Sequence, residues 1–351
     1  MRLDVQGHPI HTRTLSATLS QRADRKLDVH GYVLDLRKRG FVPVAGDLQG
    51  TGIIHHMLLD AVIDPATATI ERIAAQQPKV AFEPSPEAFG VTRGEQCRDP
   101  IAAIEAIAGA QLDSGFSRRL SAAIGGPRGC SHLLTLAHLL GSTAAWAIER
   151  DRALHGSAPQ RPAGQRVFRR DLIIDGFETP EANGTMELAI QLADLHFAPS
   201  AAVVRPMDRF AADQEIRGVL TVEFPTFQLS RIAVAERRRD SATFDSAEWN
   251  DLDVAVAGLI GLRFGFGITA ELLQRLDERA ADRPLLDALL MVAPALIQCT
   301  AALSDSWPAA FKRSESLVGM GGLPDSCYMW RRDGALSRAR EAEGGVPPRR
   351  P

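Results

Sequence analysis

One recurring order constrains this chain more than any other feature: strand-like segments come first, helical segments follow, and the order then repeats. From residue 11 to residue 75 the sequence mostly alternates apolar and polar residues, with β-branched runs separated by Gly, Pro and Asp. The segments "HTRTLSATLSQR", "KLDVHGYVLDLR", "GIIHHMLLDAVID" and "ATIERIAAQ" read as four antiparallel strands. After a polar, Pro-rich connection over 83–100 the apolar period becomes helical as far as Arg150. Gly109, Gly115 and the stretch from Gly125 to Gly129 divide that region into two short helices and a longer one. Strands followed by helices imply an α+β fold.

"VFRRDLIIDGF", "MELAIQLADLHF", "IRGVLTVEFPTF" and "QLSRIAVAE" are again strand-like, and Trp249 to Leu303 is again helical. Aligned by eye, Asp35 matches Asp194 and Arg72 matches Arg231 at an offset of 159, while Gly109 and Gly115 match Gly261 and Gly267 at 152. We read an internal duplication: two tandem similar units, each an antiparallel sheet of about four strands followed by helices packed on one face. The expected boundaries are 1–151 for the first unit, 152–166 for a linker, 167–310 for a divergent second unit and 311–351 for a C-terminal segment. Residues 335–351 are expected to be a flexible tail. Whether the two halves share one sheet is left open by the pattern.

The copies differ in their chemistry. At these offsets His30 faces Ala189, His55 and His56 fall at Gln214 and Glu215, and Cys130 and His132 fall at Asp282 and Pro284. Packing alone would keep such groups in both copies, so the first half is expected to hold the chemistry and the second to be a scaffold.

Composition limits the partners. With 351 residues, 45% hydrophobic and 24% charged, the chain is an ordinary globular protein long enough for two domains. A net charge of −3 offers no basic field for phosphates, so nucleic acid is not expected as a partner. Four scattered cysteines make no disulfide framework. The N-terminus has no signal-peptide pattern, and a cytoplasmic location is expected. Leu285 to Leu303 is apolar enough to suggest a membrane span, but Asp287, Pro294 and Gln298 interrupt it, so a buried helix and no membrane association are expected.

Strand parity sorts the remaining candidates. His30 and Tyr32 share one face of the second strand and Asp35 lies on the other; His55 and His56 point to opposite faces of the third. A site built from His11 or Arg13, His30, Tyr32 and one of His55 and His56 is expected if those strands pair. Met57, beside the histidine pair, and Tyr328, near the end of the chain, are further candidates for contacting substrate. Cys130 and His132 open the long helix, where the positive end of the helix dipole favours a thiolate and a neutral imidazole. Packing is the competing explanation for Cys130, with Ser131 as a simple helix cap. His138, inside "LTLAHLL", reads as a core histidine. No phosphate loop, dinucleotide fingerprint, zincin helix or nucleophile elbow is present in the sequence.

The motifs "HTR", "VLDLRK", "IIHHMLL" and above all "GCSHLLTL", with the terminal "PDSCYMWRRDG", resemble the bacterial family catalogued as domain of unknown function 2889. The resemblance covers about the first 150 residues and the last 30. His56, where that family tends to an acidic residue, and His30, where Glu or another polar group is expected, depart from it. The resemblance carries no activity of its own, but its members' occurrence among catabolic genes of soil bacteria implies small hydrophobic substrates. A fainter similarity, in element order and in Cys97 with the Cys-x-His helix start, is to iron–sulfur scaffold proteins, although their third cysteine has no counterpart at the matching position.

The leading expectation is an enzyme without metal, nucleotide or other cofactor that applies acid–base chemistry to a hydrophobic or aromatic catabolic intermediate, such as a retro-aldol C–C lyase releasing a small aldehyde. His30, His55 and His132 would be the acid–base groups, with Tyr32 holding a phenolic oxygen and Arg13 and Asp35 orienting. His11, His56, Met57, Cys130 and Tyr328 would contact substrate. Two alternatives stand beside it: a metal- or cluster-binding module using His55, Cys97, Cys130 and His132, and a non-catalytic binding or assembly protein. A homodimer is compatible with each.

Overall fold

All eight strand-like segments form strands in the computed structural model, which describes residues 3–5, 7–156, 159–179, 184–200, 202, 205–223, 226–265, 267–276, 283–303 and 322–344. The first half supplies β1 (His8–Gln21), β2 (Leu27–Arg37), the short hairpin β3 (Val42–Val44) and β4 (Asp47–Gln49), then β5 (Gly52–Asp64) and β6 (Thr69–Lys79). The second half supplies β7 (Arg166–Glu178), β8 (Thr185–Phe197), β9 (Phe210–Glu223), β10 (Gln228–Asp240) and the two-residue β11 (Asn250–Asp251).

These strands answer the question the sequence leaves open. They form one sheet of nine strands in the order β11-β10-β9-β8-β7-β1-β2-β5-β6, not two separate sheets of four. The join is an antiparallel pairing of β1 with β7 that runs from His8 opposite Glu178 to Ser20 opposite Arg166. Left apart, β1 and β7 would each be a long edge with a row of unpaired backbone groups, and pairing removes both edges.

Among the described residues the helices are α1 (Pro86–Thr92), α2 (Phe116–Ile124), α3 (Ser131–His155), α4 (Asp253–Val256), α5 (Ile268–Arg275), α6 (Arg283–Leu290), α7 (Val292–Ala302) and α8 (Ala335–Ala342), with a 3₁₀ segment over Ile101–Ile107. Of these, α1 lies in the connection that reads as irregular in sequence. Ser85 caps it by accepting the backbone N–H of Ala88 at 3.0 Å, and Pro86 occupies its first turn.

Helices α3, α6 and α7 pack on one face of the sheet, α3 and α7 across β1, β2 and β7 and α6 across β8. The alternation dictates which residues they cover: Leu15, Ala17 and Leu19 of β1 and Val29 and Val33 of β2 are buried there. Two glycines let the helices come close. A Cβ on Gly31 would lie 3.1 Å from Leu140 of α3, and one on Gly176 would lie 2.2 Å from Cys299 Sγ of α7. The opposite face is half-buried and polar, carrying pairs such as His30 with Asp60 and Arg237 with Glu215.

Residues 283–302 are, among the described residues, the one helical stretch with the length and apolarity of a membrane span. The stretch is divided at Met291 into α6 and α7, and its Asp287 is buried in an ion pair with Arg170. Helix α3 runs to His155, into the stretch expected as linker, while Gln165 accepts a hydrogen bond from the Gln21 backbone at 2.8 Å. Part of the expected flexible tail is the helix α8, and 345–351 lie outside the described residues.

Candidate active site between the sheet and helices α3 and α7

Register decides which side chains meet. Arg13 on β1 sits opposite Asp35 on β2, and Asp35 sits opposite His55 on β5. Directly opposed residues share a face, so Arg13, Asp35 and His55 all project toward the helices, joined by His11 two residues before Arg13. Two bulges flank this point. The β1–β7 register shifts between Pro9 and His11, leaving Ile10 as the extra residue, and the β2–β5 register shifts beside Asp35, leaving Ile54 as the extra residue. Bulges re-aim side chains. Here each precedes a buried histidine, so that Ile10 with His11, and Ile54 with His55, are consecutive buried residues and interrupt the alternation at the site.

Asp35 is the hub. Its carboxylate accepts Arg13 Nη1 on Oδ1 at 3.1 Å and on Oδ2 at 3.0 Å. His11 Nε2 donates to Oδ1 at 3.2 Å and His55 Nδ1 to Oδ2 at 3.1 Å. His132, from the first turn of α3, brings its Nε2 to 3.4 Å from Oδ2. The His55 and His132 rings overlap, with centroids 3.7 Å apart and planes tilted by 31°. Gln298 of α7 places Nε2 3.5 Å from His132 Nε2, and Cys130 places Sγ 4.0 Å from His132 Nδ1.

The electrostatics follow from burial. Removal from water alone would push the Asp35 carboxyl up, but the Arg13 guanidinium and the hydrogen bonds from His11 and His55 hold it well below the usual carboxylate range. Burial dominates for His132, with His55 and Arg13 adding to it, and drives this imidazole well below its ordinary value. Burial also lowers His11, although the hydrogen bond to Asp35 opposes it. The site therefore holds an ionised carboxylate beside two imidazoles, His11 and His132, that burial keeps neutral. Arg13 Nε and Nη2 and His11 Nδ1 are buried without a hydrogen-bond partner. His132 keeps 15% of its side-chain surface exposed, against 7% for His55 and 1% for His11, so solvent reaches the cluster most readily beside His132.

The expected grouping is corrected on several points. His30 and Tyr32 lie on the opposite face of β2 from Asp35; His30 is half-exposed and its Nδ1 is 2.7 Å from Asp60. They cannot join a site with His11 and Arg13, because the register puts Arg13 opposite Asp35. His56 shares that opposite face, whereas Met57 is on the helix face and wholly buried in the core. Tyr328 donates to Asp99 at 3.2 Å and lies under the Arg331 guanidinium.

Cys130 occupies the N-cap position itself, with no side-chain cap, and Ser131 is already helical. Its thiol is not tuned toward thiolate. Burial pushes it up to about 11, more than the neighbouring backbone N–H groups lower it. Burial raises the Cys97 and Cys327 thiols as well. Among the described residues the His, Cys, Asp and Glu side chains that converge closely enough to hold a metal are Asp35, His55 and His132, so Cys97 and Cys130 drop out of the expected ligand set and Asp35 enters it. Gln298 and Cys299 show that the second half also reaches this site, beyond the scaffold role its sequence implies.

Residues 11–146 match the family described as "Protein of unknown function (DUF2889)". Over this region the chain is similar to that family. The DUF2889 region contains His11, Arg13, Asp35, His55, Cys130 and His132. It stops short of Gln298 on α7 and of the Cys-aromatic-basic segment around Tyr328, so the family match covers the hub of the site and not its outer wall. No curated protein and no solved structure matches the chain.

Proposed function

We propose that the Asp35 cluster is the active site of an enzyme that moves protons on a small, largely apolar molecule. One observation carries this reading: a fully buried, ionised carboxylate contacts three imidazoles, two of them held neutral by burial. A hydrophobic core gains little from such a group, because taking an ion pair out of water offsets most of its attraction. Lone pairs of neutral imidazole held in fixed orientation by a carboxylate are what acid–base chemistry near neutral pH requires.

Asp35 is a positioning residue in this reading, and Arg13 holds its charge. The unpaired Nε and Nη2 of Arg13 are suited to an oxyanion developing on substrate. A lyase or isomerase uses these tools, and a retro-aldol cleavage releasing a small aldehyde is the reaction we would assay first. The two-unit organisation, 1–151 and 167–310, is part of the same proposal. It is supported by a second buried pair, Arg170 with Asp194, across the first two strands of the second half.

The test is a screen of aromatic β-hydroxy carbonyl compounds with the full-length chain, reading aldehyde release. Turnover should fall by about 100-fold or more in His132→Ala and His55→Ala with unchanged circular dichroism. Turnover at the wild-type rate in His11→Ala, His55→Ala and His132→Ala alike would exclude this cluster as the catalytic site.

A further inference from the structure

We infer that Asp35, His55 and His132 form a binding site for one divalent transition-metal cation of the zinc class. The inference deepens the acid–base reading of the same cluster and rests on it for the chemistry, although not for the binding.

Geometry is the first argument. A cation held at about 2.0–2.1 Å by tetrahedrally disposed ligands requires those ligand atoms to be about 3.3–3.5 Å apart. Asp35 Oδ2 lies 3.1 Å from His55 Nδ1 and 3.4 Å from His132 Nε2, and one ligand atom from each of the three residues lies within 4.8 Å of the other two. All three side chains come from rigid elements, two neighbouring strands and the first turn of a long helix.

Hydrogen bonding is the second argument. Arg13 and His11 hold Asp35 in place, and a cation bound to Oδ2 and to His55 Nδ1 would displace the proton that these two atoms share in the metal-free chain. His132 Nε2, at 3.4 Å from Asp35 and 3.5 Å from Gln298, makes no short hydrogen bond to either. This nitrogen is aimed at a carboxylate oxygen from the distance that separates two ligands of one metal.

The surroundings are those of a metal centre. Histidine ligands and carboxylate ligands are oriented by outer groups. Here Arg13 and His11 fix Asp35, and Cys130 Sγ stands 4.0 Å from the far nitrogen of His132. Two imidazoles and one carboxylate suit zinc, iron(II) or cobalt(II) over magnesium or calcium, which prefer oxygen. Three protein ligands leave a position for water or substrate. Because Arg13 neutralises Asp35, a bound dication leaves surplus positive charge. The ligand that completes the site is therefore an anionic oxygen, such as a hydroxide, carboxylate or enolate.

The experiment uses tag-free, full-length protein treated with chelator and titrated with cobalt(II), following the visible absorption of the bound ion. Metal content after zinc reconstitution is measured in parallel. One equivalent per chain is expected, with affinity lowered by more than 100-fold in His132→Ala and His55→Ala and by about 10- to 100-fold in His11→Ala. His30→Ala and His56→Ala, on the other face of the sheet, should bind as the wild type does. Folded wild-type protein that takes up no stoichiometric metal, or ligand variants that bind it equally well, would overturn the assignment. Wild-type turnover without metal would also overturn its catalytic part and leave the acid–base reading standing. Stoichiometric binding with no turnover on any compound would uphold the metal site and count against that reading.

Discussion

Arg13 and Asp35 face each other across β1 and β2 with both carboxylate oxygens within 3.1 Å of one guanidinium nitrogen, and neither side chain is exposed to solvent. Removing one partner strands the other charge in the core. Asp35→Ala is therefore expected to cost about 3–5 kcal/mol in denaturant unfolding. The double replacement Arg13→Met with Asp35→Leu should recover most of that loss, because a buried ion pair contributes little over well-packed apolar groups. Metal binding should be lost in both variants. Recovered stability without recovered binding separates the fold's need for the pair from the site's need.

The second buried cluster has unequal charge. Arg170 binds Asp194 through two nitrogens at 2.6 Å each and also meets Asp287 from α6, which accepts Ser142 of α3 at 2.9 Å. One cation faces two carboxylates. Burial and the nearby Asp287 raise the Asp194 carboxyl despite Arg170. Arg170→Met is expected to be the most damaging single change, at about 3–5 kcal/mol or more, since it leaves two buried acids without a counter-charge. Asp287→Asn leaves one matched pair and should cost less than half as much. Equal losses in the two variants, read from urea midpoints at constant slope, would contradict this account.

Much of the fold was legible because alternation is a strong local signal. Eight strands of 11–14 residues each carry enough period-two pattern to be seen individually. Register was not legible, since strands of one pattern can slide by two residues without moving any side chain to the other face. The sequence therefore separates His30 from Asp35 correctly but cannot say that Arg13 meets Asp35. The bulges at Ile10 and Ile54 leave only a faint trace, a second apolar residue before each histidine. Gln298 and Asp287 were beyond reach for another reason: each contacts a residue more than 100 positions earlier, and only the packing of α6 and α7 on the sheet brings them there. Helix α1 was signalled by Ser85-Pro86-Glu87, a cap and first turn hidden in a Pro-rich stretch.

Acid stability should depend on His196. Burial, reinforced by Arg150 and Arg170, lowers this imidazole from 6.5 to about 3, and its ring lies 4.7 Å from that of Phe168. It is neutral when folded and takes up a proton on unfolding below its unfolded pKa of 6.5. Its contribution is thus complete above about pH 6.5 and is lost as pH falls toward 3, at up to about 1.4 kcal/mol per pH unit. His138, also lowered by burial, adds in the same direction. Unfolding free energies of wild type and His196→Phe, compared at pH 7, 5.5 and 4.5, should diverge from parallel, the variant losing stability less steeply by close to one proton. Parallel curves would mean that His196 is already charged in the folded protein.

Cys299 and Gly176 test how tightly α7 is held over the site. A methyl group at position 176 would lie 2.2 Å from Cys299 Sγ, closer than any packed contact, and Gln298 is the preceding residue on the same helix. Gly176→Ala should force α7 outward and cost about 1–3 kcal/mol, the usual penalty of overpacking. Trimming the obstacle with Cys299→Ala in the same chain should restore part of it, and incompletely, because the Cβ at 299 would still stand 3.2 Å away. The single Cys299→Ala change should be mild, since it removes one sulfur from a wholly buried position. A double-mutant cycle gives the coupling directly: a favourable interaction between the two substitutions is expected, and strict additivity would show that α7 does not rest on β7 at this point.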